Sequence, residues 1–521
     1  MTNWELFQNQ LYFSAATGLM LDRSGMDMSE DFFAAMDGKL AAALADMQAL
    51  DGGAVANPDE GRMVGHYWLR NAALAPTEDL RREIEDCLEK VKDFTAKVHS
   101  GEVRSGTGKK FRNVLVAGIG GSSLGPVFVS EALATPADKM TLRFLDNTDP
   151  RGIEDTLLAI EPELEETLTI VISKSGGTIE SRNCMAEAEA FYRAHGLDFG
   201  KFAVCITRED SKLYNTAREE GWLEFFPMWD WVGGRTSVTS AVGLLPLALQ
   251  GVDIDAFLRG AADCDALNRS PDYKNNPAAL LAAGWYRMSG GKGGESMIVL
   301  PYKDRLNLFA KYLQQLIMES LGKEYDLAGN KVNQGLAVFG NKGTSDQHSY
   351  VQQLVAGPEN IFVVFIQVLK DRLGAPVPVG EESTSGDYLN AFMLGTKKAL
   401  ESHGKHTMTI TVRDVDAYCV GQLIALFERA VGIYASLIGI NAYHQPAVEF
   451  GKKAAGGLID LKNRARKLLA ETGRAMTAPE LAAALDAAPE DVFRLLYRLS
   501  FNDPALTLEA RTPITESLFR I

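Results

Sequence analysis

The chain has 521 residues, 46% of them hydrophobic and 23% charged, the composition of a folded globular protein with room for two or more substantial cores. A net charge of −15 argues against nonspecific nucleic-acid binding and against an anionic membrane surface, so an anionic substrate would need a locally basic site. The five cysteines (87, 184, 205, 264 and 419) lack metal-ligand spacing and read as reduced thiols. The amino terminus shows neither a basic nor an apolar leader, and no uninterrupted apolar stretch is long enough to cross a bilayer, so a cytoplasmic protein is expected.

In chain order, residues 1–105 read as an N-terminal helical region, with apolar residues three and four apart in Phe32–Leu44 and Leu80–Val91. From Phe111 the texture changes to short apolar strands alternating with helical patterns. Val114–Gly118, Leu142–Leu145, Leu168–Ile172 and Phe202–Ile206 predict a first parallel α/β sheet in a domain over 106–255. Ser296–Leu300, Gly335–Phe339, Ile361–Phe365 and Thr407–Val412 predict a second of similar plan over 256–455. The expected class is therefore α/β, with two doubly wound parallel sheets. Residues 456–521 read as a helical extension; its two short helices suggest a winged helix, but without a basic stripe packing is the expected role.

In an open parallel sheet, ligands bind beyond the carboxyl ends of the strands. The most telling such loop is Ser173-Lys174-Ser175-Gly176-Gly177-Thr178, between the apolar run Leu168–Ile172 and a helical pattern from Ile179. Hydroxyls, paired glycines and a lysine at a helix start suit a phosphate, which the helix dipole and free N–H groups favour. The loop Gly118-Ile-Gly-Gly121-Ser122-Ser123 has a serine where a dinucleotide fingerprint wants its third glycine. Its hydroxyls suit a single phosphate, while Asp146 after the next strand keeps a nucleotide reading open.

Three later segments carry chemistry-bearing side chains. Gly233-Gly234-Arg235 is a tight turn presenting a guanidinium. Gln315 and Glu319 stand four apart on one helical face, and Gly343–Tyr350 is a polar loop with His348. A further segment, Tyr443-His444-Gln445-Pro446 onward, runs to Lys452. His403 and His406 lie close together but have nothing nearby to complete a metal site.

These segments, in this order, resemble the phosphoglucose isomerase family over roughly residues 55–455. Asn441–Pro446 and Asp346–Gln353 look like its cyanobacterial and plastid branch. The resemblance implies two sugar-isomerase-type, flavodoxin-like domains, a homodimer, no cofactor and no metal. It implies substrate and phosphate contacts from Gly121, Ser122, Ser173, Lys174, Ser175, Thr178, Gln315 and Gln445. Glu319 matches the family's catalytic base and Arg235 the arginine near the reacting carbons. His348 matches the ring-opening histidine lent across the dimer interface, and Lys452 the lysine near the ring oxygen.

The chemistry asks for these residue types. Interconverting glucose 6-phosphate and fructose 6-phosphate moves a proton between C1 and C2 through a cis-enediolate, which one carboxylate can remove and return. A fixed cation stabilises the developing charge, and a preceding ring opening needs an acid and a base. The chain departs from the family's commoner pattern at Thr236, Pro446-Ala447 and Ser175-Gly176-Gly177. Those changes keep a mixed glucose/mannose-6-phosphate isomerase open as an alternative. A noncatalytic sugar-phosphate-binding regulator is a second, needing the phosphate loops but not the catalytic set.

Overall fold

The computed structural model describes Thr2–Ile521, with the side chains of Glu449, Phe450, Lys452 and Lys453 outside the described set. Contacts divide the chain into two units, Met1–His444 and Gln445–Ile521. The strands of the first unit begin with β1 (Leu11–Phe13) and β2 (Met20–Gly25). Next come β3 (Asn113–Ala117), β4 (Thr141–Leu145), β5 (Thr167–Ile172), β6 (Ala203–Thr207) and β7 (Glu224–Pro227). The rest are β8 (Ser296–Pro301), β9 (Lys323–Tyr325), β10 (Lys331–Gln334), β11 (Val338–Phe339), β12 (Ile361–Val368) and β13 (His406–Val412).

The first sheet is parallel throughout, in the order β4-β3-β5-β6-β7. Its first-formed strand sits between the second and third, the flavodoxin-like order. Every residue of β3, β5 and β6 is buried, as continuous apolar runs between two helical layers must be. The second sheet runs β1-β2-β13-β12-β8-β11. Its four parallel strands repeat the same plan, and antiparallel β2 takes the fifth place. Side chains alternate faces along it: Met297, Val299, Phe362 and Val364 join the main core, while Ile298, Leu300, Val363 and Phe365 join a second cluster.

Both segments expected to be helical hold their helices and carry strands as well. The N-terminal region carries the hairpin β1–β2, which the sequence hid because Asp22 and Arg23 are buried on a strand that apolar alternation would not mark. The carboxy-terminal unit carries a three-stranded antiparallel sheet built from Met476–Thr477, Thr507–Glu509 and Leu518–Arg520 beside its helices. Strands of two and three residues are too short to leave a period in the sequence. The order helix, strand, helix, helix, strand, strand is that of a winged helix. Helix Pro489–Leu499 begins with Glu490 and Asp491, which repel phosphate. Helix Ala447–Thr472 also runs without a break across the boundary expected at 455–456.

Helices Ile254–Leu267 and Ala417–Leu437 cross so closely that a Cβ on Gly260 would lie 1.9 Å from Tyr418 O, and one on Gly421 2.1 Å from Phe257 O. Among the described residues Ala417–Leu437 is long and apolar enough to cross a membrane, but 89% of that window is buried inside the protein. It is a core helix, and its charged pair is met internally. Arg70 binds Glu428, and Arg429 donates to Asp265 at 2.7 Å and to Asp51 at 2.8 Å.

Candidate active site

Two loops of the first sheet meet at a glycine contact. Beyond β3, Gly121 packs so tightly on Gly234 that a Cβ would lie 2.0 Å from the Gly234 carbonyl carbon and oxygen. Ser237 Oγ secures the approach, donating to Gly234 O at 2.7 Å and to Gly121 O at 3.4 Å. Arg235 is thereby held beside the loop that carries buried Ser122.

The second loop follows β5 and opens helix Ile179–Ala194. Ser173 Oγ is buried without a hydrogen-bond partner, and Thr178 stands before the helix without capping it. Both hydroxyls are thus left uncommitted at the helix's positive end. Ser175 Oγ accepts from Gly177 N at 3.2 Å. Gly176 takes a φ of +65°, and a Cβ there would meet Leu213 N at 2.5 Å.

Lys174 bonds to the protein itself. Its ammonium donates to the carbonyls of Asp230 and Val232, each at 3.0 Å, and sits 3.7 Å from the Asp230 carboxylate. Burial lowers its pKa to about 8, with Asp230 opposing the shift. The side chain therefore straps the Ser173–Thr178 loop to the segment that leads into Gly233-Gly234-Arg235. Arg208 and Arg62 share Asp230 at 3.4 and 3.9 Å, which makes this corner locally basic within an acidic chain.

From the second half of the chain, helix Phe309–Leu313 continues into a widened turn, Gln314–Glu319, with i→i+5 bonding. Gln315 and Glu319 are both half-buried there. Gln315 Nε2 lies 3.1 Å from where a Cβ on Gly120 would be, so the amide rests over the loop that carries Ser122. Glu319 Oε2 lies 3.4 Å from Arg235 Nη1.

Arg235 is only 6% exposed. Its Nε donates to Ser320 Oγ at 2.7 Å, and its Nη2 to Ala442 O at 2.6 Å and His444 O at 3.2 Å. Burial lowers its pKa and the Glu319 carboxylate opposes that. The structure thus brings Gly121, Ser122, Arg235, Gln315 and Glu319 to one place, with a fixed cation beside a carboxylate.

Three further expected residues lie on later segments of the chain. His348 is exposed at the end of the turn Ser345–His348, and no hydrogen bond or ion pair joins it to Glu319. Its loop is firmly built. Buried Asp346 accepts from Tyr350 OH at 2.6 Å and Asn341 N at 3.1 Å, and Gln347 Nε2 donates to Thr396 Oγ1 at 2.6 Å. Gln445 is the first residue of the second unit. Lys452 lies on helix Ala447–Thr472, its side chain outside the described residues. Among the described residues no group of three or more His, Cys, Asp or Glu is arranged to hold a metal ion.

Ser320, Ala442 and Lys323, near Arg235, are not singled out by the sequence. Ser320 Oγ and the Ala442 carbonyl accept from Arg235. Lys323 is 5% exposed and donates from Nζ to Glu319 O at 2.8 Å. Its four-residue spacing from Glu319 was the available signal. Burial first, then the Arg235 guanidinium, push the Lys323 ammonium down to about 7.

The family model for phosphoglucose isomerase matches residues 30–382 and 392–470. The chain belongs to the phosphoglucose isomerase family. It is 54% identical over 523 residues to a glucose-6-phosphate isomerase of Desulfitobacterium hafniense (strain Y51), covering 100% of this chain and 98% of that one. A glucose-6-phosphate isomerase of Nostoc punctiforme is 50% identical over 508 residues, with 97% and 96% covered, in keeping with the cyanobacterial likeness of the Asn441 and Asp346 segments. Among solved structures, the glucose-6-phosphate isomerase of Chlamydia trachomatis superposes with a TM-score of 0.79 at 26% identity, covering 88% of this chain and 91% of that one. A hypothetical protein of Thermus thermophilus gives 0.71 at 26% identity, covering 85% and 99%.

The depressed Lys323 pKa makes a prediction about this member of the phosphoglucose isomerase family. Between about 7 and the ordinary value of 10.5, the unfolded chain binds the Lys323 proton and the folded chain does not. Stability therefore rises with pH through that window, and below it the cost of the buried charge is fully present. Lys323→Met should gain most on the wild type at pH 6, with the difference shrinking by on the order of 1–2 kcal/mol by pH 9 in urea melts. A constant or growing difference would contradict the shift.

Proposed function

We propose that this protein interconverts glucose 6-phosphate and fructose 6-phosphate, with Glu319 as the base and Arg235 as the fixed cation. The observation that carries the reading is their 3.4 Å approach, with Arg235 buried and anchored on three other acceptors. In the open-chain aldose, Glu319 takes the C2 proton. The freed electron pair forms the C1–C2 double bond, and charge passes to the C1 oxygen. The proton returns to C1 as O2 becomes the carbonyl, its hydroxyl proton passing to O1, so no oxidant or second substrate is consumed. Arg235 needs no reorganisation to meet the enediolate, a contribution on the order of 3–4 kcal/mol for one such donor.

The phosphate is assigned to Gly121, Ser122, Ser173, Ser175 and Thr178, at the loops where uncommitted hydroxyls meet a helix start. Lys174 acts there mainly by strapping the loop, through its bonds to Asp230 and Val232. Gln315, lying over Gly120, orients the sugar chain. Binding energy from the phosphate positions C1 and C2 against Glu319. Gln445 and Lys452 keep the roles implied by the family, as a substrate contact and at the ring oxygen. A regulator reading needs only the phosphate loops and leaves the Glu319–Arg235 pair without a purpose.

The working form is proposed to be a cytoplasmic homodimer in which His348 serves the partner's site. An exposed histidine on a loop pinned by Asp346 and Gln347 fits a residue presented outward.

With a chelator present, fructose 6-phosphate should be turned over to glucose 6-phosphate with little mannose 6-phosphate formed. Glu319→Gln should lower kcat by about 10²–10⁴-fold while KM stays within a few-fold. Near-normal turnover in that variant would remove Glu319 as the base, and comparable glucose and mannose products would select the mixed isomerase. The shared-site arrangement is tested by co-expressing Glu319→Gln and His348→Ala chains. If His348 is lent, half of the sites in mixed dimers are intact, and about a quarter of wild-type activity returns. If His348 acts within its own chain, none returns.

A further inference from the structure

The second sheet has another cavity, away from the site already described. A cleft of about 1380 Å³ opens between helix Asn3–Gln10, the hairpin β1–β2, the turn Tyr273–Asn275 and the amino end of β13. Glu319 and His348 belong to segments beyond β8 and β11, at the opposite edge and at the carboxyl ends of the parallel strands. Four strand spacings separate β2 from β11, roughly 19 Å.

Arg23 lines this cleft and is 7% exposed. Its Nε and Nη1 are buried without hydrogen-bond partners, and it enters no ion pair among the described residues. Of the carboxylates on or beside this wall, Glu30 is exposed in the first turn of its helix, and Asp22, Glu401 and Asp27 are committed elsewhere. Asp22 is 2.5 Å from Lys397 and accepts from Ser24 Oγ at 2.6 Å, while Glu401 takes the Thr407 hydroxyl. Asp27 pairs with Arg287 at 2.5 Å. Burial lowers the Arg23 pKa to about 10. A buried guanidinium without an acceptor is costly, and buried charges in folded proteins are otherwise paired.

The surroundings describe what would pair with it. The Arg23 guanidinium lies 5.5 Å from the Phe33 ring centroid, and Phe33 stacks on Tyr273 at 5.4 Å and 10°. Gln10 Nε2 donates to Met28 O at 2.8 Å, which leaves its Oε1 as a buried acceptor without a donor. Lys274 adds an exposed ammonium at the rim. Lys405, also on the wall, is taken up by the carbonyls of Gly357 and Pro358.

We infer that this cleft is a second ligand site for a small organic oxyanion, with Arg23 gripping a phosphate or carboxylate group whose attached ring lies along Phe33 and Tyr273. Gln10 Oε1 accepts from a hydroxyl or amine carried next to that group. The ligand bridges the N-terminal hairpin to the turn at Tyr273, so its binding ties helix Asn3–Gln10 and that turn to β2. The site does not depend on the isomerase reading, since none of its residues touches Glu319, Arg235 or the phosphate loops.

Phenyl phosphate and benzoate are the simplest probes that join a ring to each oxyanion. In calorimetric titrations of the full chain with saturating fructose 6-phosphate, at least one should bind at one site per chain. Arg23→Met should weaken that binding at least tenfold and leave kcat/KM unchanged without probe. Binding of one probe alone tells phosphate from carboxylate. A second measurement needs no variant: the probe should slow hydrogen exchange over residues 3–34 and 404–406 of the wild type. This map also separates the cleft from the phosphate loops should fructose 6-phosphate fail to occupy them. Failure of both probes to bind, equal binding by Arg23→Met, or protection confined to residues 118–123 and 173–178 would overturn the inference.

Discussion

The site depends on one buried cation. Arg235 is taken almost wholly out of water, a transfer that costs several kcal/mol unless every donor is met. Ser320 Oγ and the carbonyls of Ala442 and His444 meet two of its nitrogens, and the third faces Glu319. These acceptors come from stretches of chain far apart in sequence. The guanidinium can therefore be seated only when the turn at Gly233–Arg235, the widened helix end and the segment before Gln445 have all arrived. Fixing the cation fixes the carboxylate beside it.

Several otherwise unrelated features serve that seating. Gly121 and Gly234 approach closer than any side chain would allow, which brings the Ser122 loop against the arginine turn. The Lys174 ammonium bonds the Ser173–Thr178 loop to the residues just before that turn. The i→i+5 turn at Gln314–Glu319 carries Gln315 over Gly120 and Glu319 beside Arg235. Behind them, Arg70, Asp265, Glu428 and Arg429 neutralise one another inside the core, so helix Ala417–Leu437 can carry charge through an apolar interior.

Much of this was legible in the chain, for identifiable reasons. β3, β5 and β6 are buried on both faces and so leave continuous apolar runs. β7 was missed because Glu224-Phe-Phe-Pro227 is short and ends in proline. β2 was missed because Asp22 and Arg23 break its pattern, and those residues line or flank the second cleft. At the site the residue types and their order carried the family resemblance. Nothing in a sequence marks the Lys174 bonds to carbonyls 56 and 58 positions away. The i→i+5 turn was equally hidden, since Gln315 and Glu319 share a face in a regular helix as well.

The most direct test of the account is to run the reaction in D2O and read C2 of the glucose 6-phosphate formed from fructose 6-phosphate by NMR. Proton transfer through Glu319 and an enediolate held by Arg235 predicts deuterium at C2, arising at a rate that falls with turnover in Glu319→Gln. Full turnover by the wild type with no deuterium at C2, even after many passes through equilibrium, would mean that hydrogen moves directly between the carbons. In that case Glu319 would not be the base, and Arg235 would have no enediolate to stabilise.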